Sequence, residues 1–121
     1  MQGKKINKSI KHNPESINKY EISDKYILIY NTADNNSSDG IVRIYSLDGN
    51  EKAEFSINGN ISDISVYNKR IYTLGEKVTE YDFKGNVVKV TEINNGAVKI
   101  AACKKGTVIL YSSGVDFIKE G

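Results

Sequence analysis

The amino-acid sequence predicts an all-β fold built from a repeated unit of four short strands. The apolar residues are mostly Ile, Val and Tyr, which suit a pleated, half-buried sheet surface. Runs of alternating hydrophobicity are separated by clusters of Gly, Asn and Asp, and no segment between them carries the 3.6-residue apolar period of a helix. The segment YSLDGN at Tyr45–Asn50 recurs as YDFKGN at Tyr81–Asn86, a step of 36 residues.

The alternating runs predict eleven strands along the chain. They are Ile17–Ile22, Tyr26–Tyr30, Ile41–Leu47, Lys52–Ile57, Ile61–Tyr67, Arg70–Leu74, Val78–Phe83, Val87–Ile93, Ala97–Cys103, Thr107–Tyr111 and Val115–Ile118. The tight turns Asp48–Asn50 and Lys84–Asn86 each contain the glycine that a positive φ requires.

The repeat extends beyond the two matching turns. ISDISVY, starting at Ile61, matches AVKIAAC, starting at Ala97, at the same step of 36, and INKYEI, starting at Ile17, matches ISDISVY at a step of 44. The eight additional residues are assigned to the loop NTADNNSSDG, Asn31–Gly40. The unit is therefore four strands, with one long loop between the second and third strands of the first unit.

These matches divide the chain into an N-terminal segment, 1–16, and three units at 17–57, 61–93 and 97–121, the last without its fourth strand. The segment KKINKSI, Lys4–Ile10, resembles a fourth strand and is predicted to complete the third sheet. Four strands at this period are typical of a β-propeller blade. The predicted fold is thus a partial β-propeller of about three four-stranded antiparallel blades, and a β-sandwich is the alternative.

The pattern resembles β-propeller repeats of the quinoprotein-like type, which are related in style to WD40 blades. Three strand positions of that repeat are occupied by RIYTL, VTEYDFKG and NVVKV in the second unit. The same positions are occupied by ILIY, VRIYSLDG and EKAEF in the first unit. The composition is also similar to that of propeller proteins of clostridia and their relatives, which are often membrane-anchored. This similarity favours a bacterial envelope or extracellular location, whereas the single cysteine fits a cytoplasmic protein equally well. Phe55 and Val90 stand where the family usually has Trp, and the chain has no Trp, so no quinone cofactor is expected.

Composition and charge exclude several classes of function. A net charge of +2 is too small to indicate a nucleic-acid partner. Cys103 is the single cysteine, so neither a disulfide framework nor a cysteine metal cluster is predicted. No apolar run is long enough for a transmembrane span, and MQGKKINKSIKHN lacks the apolar region of a signal peptide. We expect no membrane contact within this chain.

The loops predict a candidate binding face. Because successive strands alternate in direction, the second-to-third and fourth-to-first connections lie at one end of the sheets. The predicted ligand-binding residues at this end are Asp34, Asn35, Asn36, Asp39, Asn58, Asn60, Asn94 and Asn95. The asparagine amides among them suit a protein or glycan ligand, although Asn and Gly are also what tight turns require. The long loop lacks the ligand spacing of an EF-hand, so no metal is predicted.

No catalytic constellation is apparent. The sequence contains no Gly-rich phosphate loop, no paired-carboxylate motif and no metal-ligand spacing. Asp63 is expected to be a structural acid, and Cys103, which matches Tyr67, is expected to be half-buried. We therefore predict a non-enzymatic binding or scaffold module without a cofactor, completed by self-association or by further blades. A fragment of a propeller enzyme whose active site needs missing blades is the alternative, and a purely structural role is the third possibility.

Overall fold

A computed structural model of the chain describes residues 17–23, 25–32, 39–58 and 61–119. These residues form strands and no helix, so the all-β prediction is confirmed. The strands are β1 (Ile17–Ile22), β2 (Tyr26–Thr32), β3 (Asp39–Ser46), β4 (Glu51–Asn58), β5 (Asp63–Tyr67), β6 (Arg70–Leu74), β7 (Lys77–Asp82), β8 (Val87–Glu92), β9 (Ala97–Cys103), β10 (Gly106–Tyr111) and β11 (Gly114–Lys119).

The strands form three antiparallel sheets, each a simple meander. The first sheet has the order β1-β2-β3-β4, the second β5-β6-β7-β8, and the third β9-β10-β11. The strand predicted at Lys4–Ile10 lies outside the described residues. The all-β fold is thus organised as sheets of three and four strands, as blade-like units would be.

Two equivalent turns account for the repeated segments YSLDGN and YDFKGN. Gly49 and Gly85 both adopt a φ of 90°, and their amides donate to the carbonyl oxygens of Ser46 and Asp82 at 3.0 and 3.1 Å respectively. Asp82 strengthens the second turn, because its Oδ1 accepts the backbone N–H of Asn86 at 3.0 Å. A side chain would strain this backbone conformation, so both turns require glycine.

A first hydrophobic core lies between the first and second sheets. Its buried members are Leu28, Tyr30, Val42, Ile44, Ala53, Ile57, Ile64, Val66 and Ile71. Aromatic residues close the edge of this core, where the rings of Tyr26 and Phe83 meet edge to face with their centroids 5.2 Å apart. Burial of these side chains on both sheets is the main stabilising contribution to the stacking.

A second core lies between the second and third sheets. Its buried members are Tyr72, Leu74, Val78, Ile100 and Ile109. Strand β6 contributes to both cores, since Ile71 belongs to the first and Tyr72 to the second. The second sheet is therefore covered on both faces, which accounts for the nearly continuous apolar run RIYTL.

Backbone contacts between sheets fall mainly on the first two strands of each sheet. Strand β5 approaches both β1 and β9, and further contacts join β2 to β5 and β6 to β9. The first strands of the three sheets consequently lie side by side, with β5 in the middle. This arrangement brings polar side chains of β1 and β5 within reach of β9.

One expectation from the sequence is wrong. Cys103 is exposed rather than half-buried. Its counterpart Tyr67 packs against the second core, to which the third sheet contributes, whereas no described sheet follows the third one to cover Cys103.

Candidate functional site

A groove of about 370 Å³ lies at one end of the second and third sheets. Three connections form it: the segment that enters β5, the β6–β7 turn, and the β8–β9 connection. The lining residues are Ile61, Ser62, Gly75, Glu76, Asn94, Asn95, Gly96 and Ala97. Two exposed amides and one exposed carboxylate stand beside half-buried Ile61 and Ala97, so the groove offers both polar and apolar contacts.

Local hydrogen bonds hold two of the three connections in place. The backbone N–H and the Oγ of Ser62 both donate to the carbonyl oxygen of Leu74, at 2.8 and 3.1 Å. The N–H of Gly75 donates to the carbonyl of Lys77 at 3.0 Å and closes the β6–β7 turn. Gly96 has a φ of 88° with open space around its Cα. The end of β6 and the start of β7 thus fix the backbone of two of the connections that line the groove.

The predicted binding residues are distributed unevenly around this end of the molecule. Asn94 and Asn95 are brought together in the groove. Asp39 and Asn58 pair with each other across the β3–β4 hairpin, at the start of β3 and the end of β4. Asp34, Asn35, Asn36 and Asn60 lie outside the described residues.

The sequence prediction did not include six of the lining residues, namely Ile61, Ser62, Gly75, Glu76, Gly96 and Ala97. Glu76 occupies the short connection that corresponds in the repeat to the long loop Asn31–Gly40. The same rule that grouped the asparagines, that alternate connections share one end of the sheets, would have included it. Glu76 was left out because the prediction named only Asn and Asp side chains.

A polar contact between the first strands joins all three sheets. Ser65, fully buried on β5, donates its Oγ hydrogen to Glu21 Oε1 on β1 at 3.2 Å. Ser65 Oγ also accepts the backbone N–H of Ala102 on β9 at 3.0 Å. Strand β9 is an edge of its sheet, so this side chain supplies an acceptor that a neighbouring strand would otherwise provide.

Asp63 makes an equivalent contact two residues earlier on β5. Its Oδ2 accepts the N–H of Ile100 at 2.8 Å and lies 3.6 Å from Nζ of Lys99. The structural role expected for Asp63 is therefore a bond to the backbone of the next sheet. Asp63 and Ser65 thus each accept one backbone N–H of β9, which joins the second sheet to the third.

The half-buried Glu21 carboxyl has a raised pKa. Desolvation is the largest cause and the nearby Asp63 carboxylate acts in the same direction, while the Ser65 hydroxyl, Lys99 and the backbone N–H of Val66 oppose the rise. A carboxylate that loses hydration is harder to ionise. Stacking of the sheets therefore changes the protonation of this group.

No protein-family model matches the sequence, and no curated protein matches it. Within the described ranges, no three His, Cys, Asp or Glu side chains lie together as metal ligands would. Nor does that part of the chain contain a helix capable of crossing a membrane.

Proposed function

We propose that this chain is a non-enzymatic binding or scaffold module of β-propeller repeats, part of a larger or oligomeric propeller. The observation that carries the proposal is the groove formed by three connections of two adjacent sheets, with Asn94 and Asn95 exposed on its rim. Loops held by a rigid scaffold are the usual place for binding residues. The meandering sheets, stacked along their first strands, support the propeller interpretation.

The groove suits a neutral polar ligand, either a glycan or a peptide. Each asparagine amide offers two N–H donors and a carbonyl acceptor, which can bind hydroxyl groups or a peptide backbone. Ile61 and Ala97 line the same groove and provide apolar surface. The alternative of an enzyme whose active site needs further blades stays a prediction from the sequence.

The test is a glycan array and a peptide array probed with the wild-type chain and with an Asn94→Ala/Asn95→Ala variant. We expect a wild-type binder whose affinity falls at least tenfold in the double variant. Asn68→Gly is the matched control, because Asn68 lies in the β5–β6 turn outside the groove and its φ of 49° suits glycine. Absence of any binder, or equal binding by all three proteins, would contradict the proposed site.

A further inference from the structure

The outward side of the third sheet is an apolar surface that no other described sheet covers. Val108 lies opposite Phe117, and Leu110 lies opposite Val115, across the β10–β11 pair. Residues directly opposite one another in a sheet point to the same side, so these four residues form one surface, the third-sheet outer face. Phe117 is 77% exposed, and Leu110 and Val115 are exposed as well.

The outward side of the first sheet is also apolar across the β1–β2 pair, and no other described sheet covers it. Tyr20 lies opposite Ile29, and Ile22 lies opposite Ile27, across the β1–β2 pair. These four residues form the first-sheet outer face. Tyr20 is 72% exposed and Ile22 is 70% exposed, although such side chains are normally buried by neighbouring structure.

The third-sheet outer face corresponds to a surface that is already buried within the chain. A step of 36 residues back along the sequence leads from Val108 to Tyr72 and from Leu110 to Leu74. Both counterparts are buried in the second core, where the third sheet covers them. Surfaces of this kind are therefore covered elsewhere in the chain by the next sheet.

The first-sheet outer face corresponds to the complementary surface. A step of 44 residues leads from Tyr20 to Ile64, from Ile22 to Val66, and from Ile27 to Ile71. All three counterparts are buried in the first core, against the first sheet. The two uncovered faces are thus the counterparts of surfaces that pack on neighbouring sheets inside the molecule.

We propose that a second copy of this chain covers these faces, with the third-sheet outer face of each copy packed on the first-sheet outer face of the other. The inference rests on the proposed function, because it extends the stacking of the repeats across two chains. One such contact continues the sheet-on-sheet packing already present in the chain. The second, equivalent contact closes the sheets of the two copies into a ring. Two copies then contribute six described sheets, three from each.

The size of the faces is compatible with a stable pair. Each face lies on two strands, and together with the third strand of its sheet, β9 or β3, it forms a surface of about 20 by 14 Å, or about 300 Å². A closed ring of two copies covers four such faces, on the order of 1,200 Å² in all, at the lower end of the range for specific interfaces. Because the contact joins two different surfaces, it requires both faces to be intact.

The experiment measures molar mass by light scattering coupled to size exclusion, with the variants Phe117→Glu and Tyr20→Glu. We expect the wild-type chain at twice the 13.5 kDa of one copy, and each single variant at the mass of one copy. An equimolar mixture of the two variants keeps one intact contact, between Tyr20 of one protein and Phe117 of the other. The mixture should therefore form a pair again, with weaker affinity than the wild type.

Val90→Glu is the control, since Val90 is half exposed on β8, outside both faces. It should leave the pair intact. Thermal melts of the variants check folding, and Phe117→Thr and Tyr20→Thr replace any glutamate variant that does not melt cooperatively. The proposal is overturned by a wild-type chain with the mass of one copy, by a pair that survives Tyr20→Glu, or by a mixture that does not associate.

The outcomes separate this inference from the proposed function. A single-copy wild-type chain that binds a glycan or peptide at the groove overturns only the pairing. A pair whose groove binds no ligand on the arrays overturns only the binding role.

Discussion

Replacing Ser65 with Ala removes one oxygen that contacts two other sheets. The hydroxyl of Ser65 donates to Glu21 Oε1 and accepts the N–H of Ala102. Its loss leaves a partly buried N–H without this acceptor and removes one donor from a half-buried carboxyl. Leaving a buried donor unsatisfied costs about 1–3 kcal/mol, and a lost hydrogen bond costs about 1 kcal/mol. Since Val66 still donates to Glu21, we expect a loss of about 2 kcal/mol.

Urea unfolding followed by circular dichroism measures this change, and a thermal melt provides an independent value. A loss of about 2 kcal/mol lowers the melting temperature of a chain of this length by roughly 8 °C. Ser56→Ala is the matched control, because Ser56 is exposed on β4, and it should change the free energy of unfolding by less than about 0.5 kcal/mol. If Ser65→Ala costs no more than this control, the contact between the first strands does not stabilise the fold.

Two further variants test the second turn and the buried carboxyl. Gly85→Ala should destabilise the chain by about 2–4 kcal/mol, because Gly85 has a φ of 90° and an added Cβ would lie 2.9 Å from Phe55 Cβ. Gly114→Ala meets nothing within 4 Å, so equal urea midpoints for the two variants would refute this reasoning. For Glu21, the folded-state pKa is raised above 4.5, so the folded protein binds the proton more tightly and its stability should fall as the pH rises from 4.5 through the raised pKa. Glu21→Gln should flatten that slope in urea titrations at successive pH values, and an unchanged slope would show that Glu21 is not its source.

The turns and strands were predictable because their causes are local. Gly49 and Gly85 adopt the positive φ that their turns required, and alternation of apolar residues identified strands such as Arg70–Leu74 without error in its bounds. The candidate groove was predictable only in part. Asn94 and Asn95 followed from the direction of the strands, and Glu76 would have followed from the same rule, whereas the groove between these connections depends on how the second sheet lies against the third.

The role of Ser65 was not predictable from the sequence. In DISVY, a serine between two apolar residues suggests a solvent-facing position on an amphipathic strand. The structure buries it instead, because β1 and β9 flank β5 and bring Glu21 and the Ala102 amide to its hydroxyl. These partners are 44 and 37 residues away, a separation at which side-chain alternation carries no information.

The sequence by itself therefore determined the all-β class, the strands and the glycine turns, since each depends on side-chain alternation or on the φ of one residue. Only the tertiary structure decided which surfaces are covered. Ile64 is buried while its repeat counterpart Tyr20 is exposed, although both stand at matching places in their strands. The physical reason is that burial depends on the neighbouring sheet, and the first sheet has such a neighbour on one side only among the described residues.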